Sequence, residues 1–322
     1  MKKSQIRILA ILAAVALLLG IALAALRYKP QEKPMDTLIS ISADQIDQLV
    51  FTYRNNAVNL QLREGQWQVL PANTSLTLPA KQDVVQAMVE ELCAIRPQQL
   101  LDNPDPELFA KTNLQASIDL LSGTGTEQVE AAQQIRIYSM NAVTDQLYVQ
   151  VGEAVYLTDT RLMEIVSVPE LDLLAQYQIP KPDNHLRVAV ENAHGYFALS
   201  CDPAQTGTPG DTWYLQQGSV WVPADQDAAY NFYFLTWDMH WETTADIITP
   251  DTDLSMYGLD KPQAIYTLFY GNQIFRLYLG ENLPDDTTYA MCDGSNLIYT
   301  MDTLLATWLA DATSQSVILQ SE

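Results

Sequence analysis

Histidine, cysteine and positive charge are all scarce in this 322-residue chain, and each shortage closes off some chemistry. The three histidines are His185, His194 and His240. None falls in an HExxH pattern and no two lie one helical turn apart, so the spacing of a zinc site is missing. Cys93, Cys201 and Cys292 stand far apart without a CxxC pair, and so sparse and odd a set is no disulfide framework. Cys201 and Cys292 share the later half of the chain, which leaves one pairing open. No GxSxG elbow offers a serine nucleophile. Ser122-Gly123-Thr124-Gly125-Thr126 has the glycines of a phosphate loop without its lysine or following helix, and reads as a hairpin tip. Asp251-Thr252-Asp253-Leu254-Ser255 is similar to the start of a calcium loop. Met256, however, stands where the glycine is needed, and Pro262 where a glutamate should close it. Asp102, Asp105 and Glu107 read as turn formers and first-turn helix charges. The sequence therefore predicts no catalytic residue, no metal ligand and no cofactor, and the chain is read as a non-enzyme.

Basic residues are few and unevenly placed. Lys2, Lys3, Arg7, Arg27, Lys29 and Lys33 occupy the first tenth of the chain. From Thr37 onward 11 Lys and Arg stand against 37 Asp and Glu, a net −26. A body of that sign has no basic stripe for phosphates, which excludes nucleic acid as a partner. Its simplest consequence is solubility, and a sharper one is attraction for cations or for a basic partner. Disorder is excluded by composition, since hydrophobic residues make up 48% and charged residues 17% of the chain.

Residues 8–26 read ILAILAAVALLLGIALAAL, with no charge. As a helix they extend roughly 28 Å, close to the hydrocarbon thickness of a bilayer. Lys2, Lys3 and Arg7 place residues 1–7 in the cytoplasm, a transmembrane anchor over 8–27, and the body outside. A cleaved signal peptide is the competing reading, because Ala22-Leu23-Ala24 has the small-x-small form of a processing site. The length of the apolar run favours a retained anchor. Residues 28–36, with two prolines, form a short polar linker.

The body contains an internal repeat with an offset of about 144 residues, which calls for a duplicated domain. Gly65-Gln66-Trp67 and Pro79-Ala80-Lys81-Gln82-Asp83 find counterparts in Trp213, Trp221 and Pro223-Ala224-Asp225-Gln226-Asp227. Asp102 matches Asp246, Leu114 matches Leu259, Tyr148 matches Tyr289, Val155-Tyr156 matches Ile298-Tyr299, and Asp159 matches Asp302. Alternating apolar runs predict strands at 48–54, 58–63 and 66–70, with Glu64-Gly65 as a turn. Val84, Val85, Met88, Leu92 and Ile95 then predict one apolar face of a helix stopped by Pro97. Strands near 117–121, 134–137, 146–151 and 154–157 follow, and Asp159 opens a short helix. The second copy repeats this order, with its main helix from Ala224 to about Met239 and its closing helix from Asp302. The predicted fold class is thus α+β: two tandem related domains, each a mostly antiparallel β-sheet with one main helix and a short terminal helix, plus the N-terminal transmembrane helix. The boundaries are 37–177 for the first repeat, 178–184 for a proline-containing hinge, 185–311 for the second repeat, and 312–322 for a C-terminal tail.

The second copy resembles a bacterial membrane-anchored family known as domain of unknown function 4340. The residues that carry the likeness are Pro223-Ala224-Asp225, Tyr257-Gly258-Leu259-Asp260-Lys261-Pro262, Leu279-Gly280-Glu281, Tyr289-Ala290 and Ile298-Tyr299. Gly65-Gln66-Trp67, Pro79-Ala80 and Asp102-Asn103-Pro104 fit in the first copy. That copy departs where Lys111-Thr112-Asn113-Leu114 replaces the Tyr-Gly-Leu element and Ile137-Tyr138-Ser139 replaces Leu-Gly-Glu, so its turns there should differ. The resemblance implies an anchored extracytoplasmic protein associated with a transporter of the ATP-binding-cassette class, and supplies no catalytic residues. From the residues themselves, Gly258 is expected to be left-handed at a helical end, Leu259 to enter the core, and Gly280 to end a strand.

The segment 230–241, YNFYFLTWDMHW, is the most unusual in the chain. On a helix Phe232, Leu235 and Met239 form the inward stripe. Tyr230, Tyr233, Phe234, Trp237 and Trp241 spread around the remaining surface, either buried between sheet and neighbouring copy or forming a protein or membrane-interface patch. The expected function is a non-enzymatic extracytoplasmic accessory protein of a transport or envelope complex. The alternative is a ligand-binding module using the cleft between the repeats.

Overall fold

The computed structural model describes residues 37–54, 56–72, 74–122, 131–181, 186–201 and 212–318. The expected anchor, linker and hairpin tip at 123–126 lie outside them, as does His185. Among the described residues no helix is long and apolar enough to cross a membrane.

Alternation of buried and solvent-facing residues builds one sheet per repeat. The first comprises β1 (Gln48–Tyr53), β2 (Asn56–Arg63), β3 (Gln66–Val69), β4 (Leu78–Pro79), β5 (Gln99–Leu100), β6 (Ala116–Leu121), β7 (Ala131–Asn141), β8 (Gln146–Val151) and β9 (Ala154–Thr158). The second comprises β10 (Leu186–Asn192), β11 (Gly195–Ser200), β12 (Tyr214–Gln217), β13 (Val220–Pro223), β14 (Thr243–Ile247), β15 (Ala264–Tyr270), β16 (Gln273–Asn282), β17 (Thr287–Cys292) and β18 (Leu297–Asp302). The strand orders are β4-β3-β2-β1-β6-β7-β8-β9-β5 and β13-β12-β11-β10-β15-β16-β17-β18-β14, and all pairings are antiparallel. Adding nine to each strand of the first order gives the second, so the two units share one topology. The short edge strands β4 and β5 were not predicted, because two residues leave no alternation to read.

Each main helix follows the fourth strand of its sheet: α1 (Gln82–Ala94) and α3 (Gln226–Asp238). The repeated Pro-Ala-x-Gln-Asp motif has a physical reason. The Gln82 side-chain oxygen accepts from the Trp67 amide at 2.6 Å, while its nitrogen donates to the carbonyls of Trp67 (2.8 Å) and Ala80 (2.7 Å). Gln226 repeats all three contacts on Trp213 and Ala224. One side chain thus satisfies three backbone groups where strand turns into helix. Short helices α2 (Arg161–Val166) and α4 (Thr303–Asp311) close the units, each followed by a 3-10 turn, Glu170–Leu173 and Ser314–Val317. Those turns lead into matching bridges, Ala80 to Leu174 and Ala224 to Ile318. With Val317 buried, the second unit extends to Ile318 rather than stopping at residue 311 with a tail beyond.

Several sequence expectations need correction. Val84 is 38% exposed, and Val89 takes its place on the buried face of α1. Gly280 does not end a strand, since β16 continues to Asn282. A Cβ there would lie 2.1 Å from the Tyr257 carbonyl, so glycine is required by a close chain crossing. Leu259 is buried as expected, whereas its counterpart Leu114 is solvent-facing at the end of a 3-10 turn, Lys111–Asn113. Gly258 is left-handed, with φ 66°, and its own Cβ would meet the Glu281 amide at 2.8 Å.

The connection between the units is tied down over its described part. Trp241 Nε1 donates to the Tyr177 carbonyl at 2.6 Å, and the Tyr177 amide donates to the Tyr299 hydroxyl at 3.0 Å. Trp241 stacks on Tyr299 with ring centres 4.2 Å apart, and Tyr177 stacks on Phe275. The turn Glu170–Leu173 of the first unit packs against β14 of the second.

Candidate protein interface

Helix α3 starts where Asp225 accepts a hydrogen bond from the Ala228 amide at 2.9 Å. From that start the 3.6-residue period turns Ala229 and Phe232 into the core, and Met239 is buried just past the helix end; of the expected inward stripe, Leu235 is only partly buried. Tyr230, Phe234 and Trp237 recur at steps of four and three and form an outward stripe, 50%, 50% and 37% exposed. Tyr230 touches both Tyr233 and Phe234 edge or tilted, and Tyr233 sits half-buried against Trp213. Trp241 does not belong to this surface. It lies beyond the helix, 8% exposed, and serves the contact between the units.

The stripe continues onto α4. Asp302 caps this helix by accepting from the Leu304 amide. Ala306 and Leu309 face inward, leaving Leu304 80% exposed and Trp308 partly so, its ring 4.1 Å from that of Phe232. Leu304 and Trp308 were missed by sequence reading because TLLATWLAD is apolar on nearly every face. For Leu304 a signal was available in the matching helix of the first unit, where Arg161 stands in its place, whereas the counterpart of Trp308 is the buried Ile165.

That comparison is the most informative feature of the site. The clamp glutamines put α1 and α3 in register at an offset of 144, so Gln86, Glu90 and Glu91 correspond to Tyr230, Phe234 and Leu235. Asp159 and Asp302 each accept from the amide two residues on, which makes Arg161 the counterpart of Leu304. In the first unit Gln86 donates to Glu90 at 2.8 Å, and Glu91 lies close enough to Arg161 for attraction. The fold therefore forms with polar groups at these positions. Apolar groups there are a property of the second unit alone.

Between α3 and α4 lies a groove of two adjoining basins, of roughly 480 and 520 Å³. Asn231, Leu304 and Trp308 line both. At its rim His240 places Nδ1 2.8 Å from the Asp238 carbonyl and Nε2 3.1 Å from Glu242. The carbonyl, aided by the Glu242 charge, raises the imidazole pKa above its usual value.

Elsewhere the acidic candidates are accounted for locally. Asp253 caps the turn Leu254–Tyr257 by accepting from the Ser255 amide and hydroxyl. Asp105 accepts from the Glu107 amide at the turn Pro106–Phe109. Among the described residues no group of three His, Cys, Asp or Glu could hold a metal ion. Burial pushes the Cys292 thiol pKa up to about 12, the opposite of what a nucleophile needs. No known family model matches the chain, and no curated protein matches it.

Proposed function

We propose that the protein is a non-enzymatic, membrane-anchored accessory subunit of a transport or envelope complex, with its body outside the cytoplasm, docking through the α3–α4 face of its second unit. The observation that carries the docking element is the internal contrast. Solvent-facing Tyr230, Phe234 and Leu304 replace Gln86, Glu90 and Arg161 on an otherwise shared scaffold. Exposed aromatic and aliphatic side chains in one contiguous area concentrate binding energy when a partner covers them. Anchoring rests on the uncharged stretch 8–26, and association with an ATP-binding-cassette transporter rests on the family resemblance alone. Tyr177, Trp241 and Tyr299 occupy the contact between the units, which favours docking over a solute cleft between them.

Purification of the full chain in mild detergent should bring a permease, its ATPase or another envelope protein with it. Recovery of the chain alone from cross-linked membranes would count against the proposal.

A further inference from the structure

We infer that the α3–α4 groove takes a short amphipathic helix of a partner protein, its apolar stripe bracketed at both ends by lysine or arginine. This deepens the docking proposal and rests on it. The two basins share Asn231, Leu304 and Trp308, so they form one trough along the seam between the helices. Its walls are apolar, with Phe234, Leu235 and Leu305 in one basin and Phe232 and Ala312 in the other. A helix satisfies its own backbone hydrogen bonds, so it can lay a stripe of side chains at i, i+3, i+4 and i+7 against such walls. An extended peptide would leave amides unpaired there.

Charge sets the rest of the ligand. Asp238 and Asp302 line one end of the trough and Asp311 the other. The only basic side chain on the lining is His240, held between the Asp238 carbonyl and Glu242. With −26 on the body behind it, the trough favours a cation at each end of the occupant. The same charge disfavours a second copy of this chain, which would bring Asp238, Asp302 and Asp311 against their like. It also disfavours an anionic lipid surface.

The test uses the full chain in mild detergent and two synthetic 18-residue helices with the same leucine stripe, one lysine-flanked and one glutamate-flanked. Fluorescence anisotropy should show the lysine helix binding at least tenfold more tightly. Leu304→Arg and Phe234→Glu, which install the side chains of the first unit, should each weaken it tenfold or more with the melting temperature unchanged. Phe234→Glu is decisive because a purely electrostatic contact would tighten with added negative charge. Equal binding of the two helices, or undiminished binding to Phe234→Glu, overturns the inference. So does self-association, or quenching by brominated lipid after reconstitution, that Phe234→Glu abolishes. A doubly substituted chain that still co-purifies its complex keeps the accessory role and loses the groove. A chain that binds the lysine helix yet recovers no envelope protein does the reverse.

Discussion

Replacing Trp241 and Trp237 separately by alanine should give two very different proteins, although the residues lie four apart. Trp241 is buried, stacked on Tyr299, and is the donor to the Tyr177 carbonyl. Truncating a buried tryptophan costs about 3–5 kcal/mol, and the carbonyl left without its donor adds about 1 kcal/mol. In a unit of this size each kcal/mol lowers the melting temperature by roughly 2–4 °C, so a fall of about 8–24 °C is expected. Trp237 is only partly covered, and the contact it makes with Lys181 uses its backbone carbonyl, which alanine retains. Its replacement should cost under about 1 kcal/mol, as surface changes do. Calorimetry of the full chain in detergent, with near-ultraviolet circular dichroism to follow aromatic packing, measures both. Equal shifts for the two variants would refute the division of this segment into a structural tryptophan and a surface one.

Two further outcomes follow from the packing. Gly280→Ala should lower stability by about 3 kcal/mol or prevent folding, because the new methyl group meets the Tyr257 carbonyl and the Leu259 side chain in a crowded crossing; a urea midpoint unchanged from the parent would contradict that crossing. Glu170 has its pKa raised by burial, and its Oε1 has no hydrogen-bond partner. A carboxyl whose folded pKa is raised contributes most below its unfolded pKa, and that contribution is lost as pH rises through the folded value. Glu170→Gln should therefore gain a few tenths to about 1 kcal/mol at pH 7 relative to the parent, and nothing at pH 3. Melting curves at the two pH values check the sign.

Much of the fold was legible because its signals are local and repeated. Alternation located the long strands, Asp302 marked the start of α4, and the Pro-Ala-x-Gln-Asp motif marked both main helices. What failed to read depends on contacts distant in sequence. Gly280 looks like a turn residue until the Tyr257 carbonyl is seen crossing it. Val84 and Val89 are alike in chemistry, and only the direction from which the sheet approaches α1 decides which is buried. Leu114 occupies the place of Leu259 but follows a different turn, so its side chain is left outside. At the site, the aromatic content of 230–241 was evident, yet its division was not. Trp241 is drawn inward by Tyr177, a residue of the connection between units. Leu304 and Trp308 gain meaning only beside Phe234, across a seam that joins two segments separated by sixty-odd residues of sheet.

The central claim is that the second unit keeps an apolar face for a partner where the first keeps a polar one. Photo-crosslinking in intact membranes from position 234, with position 90 of the first unit as its matched control, addresses it most directly. Adducts to an envelope protein from 234 and none from 90 are the expected result. Equal yields from the two positions, or adducts from 90 alone, would contradict it.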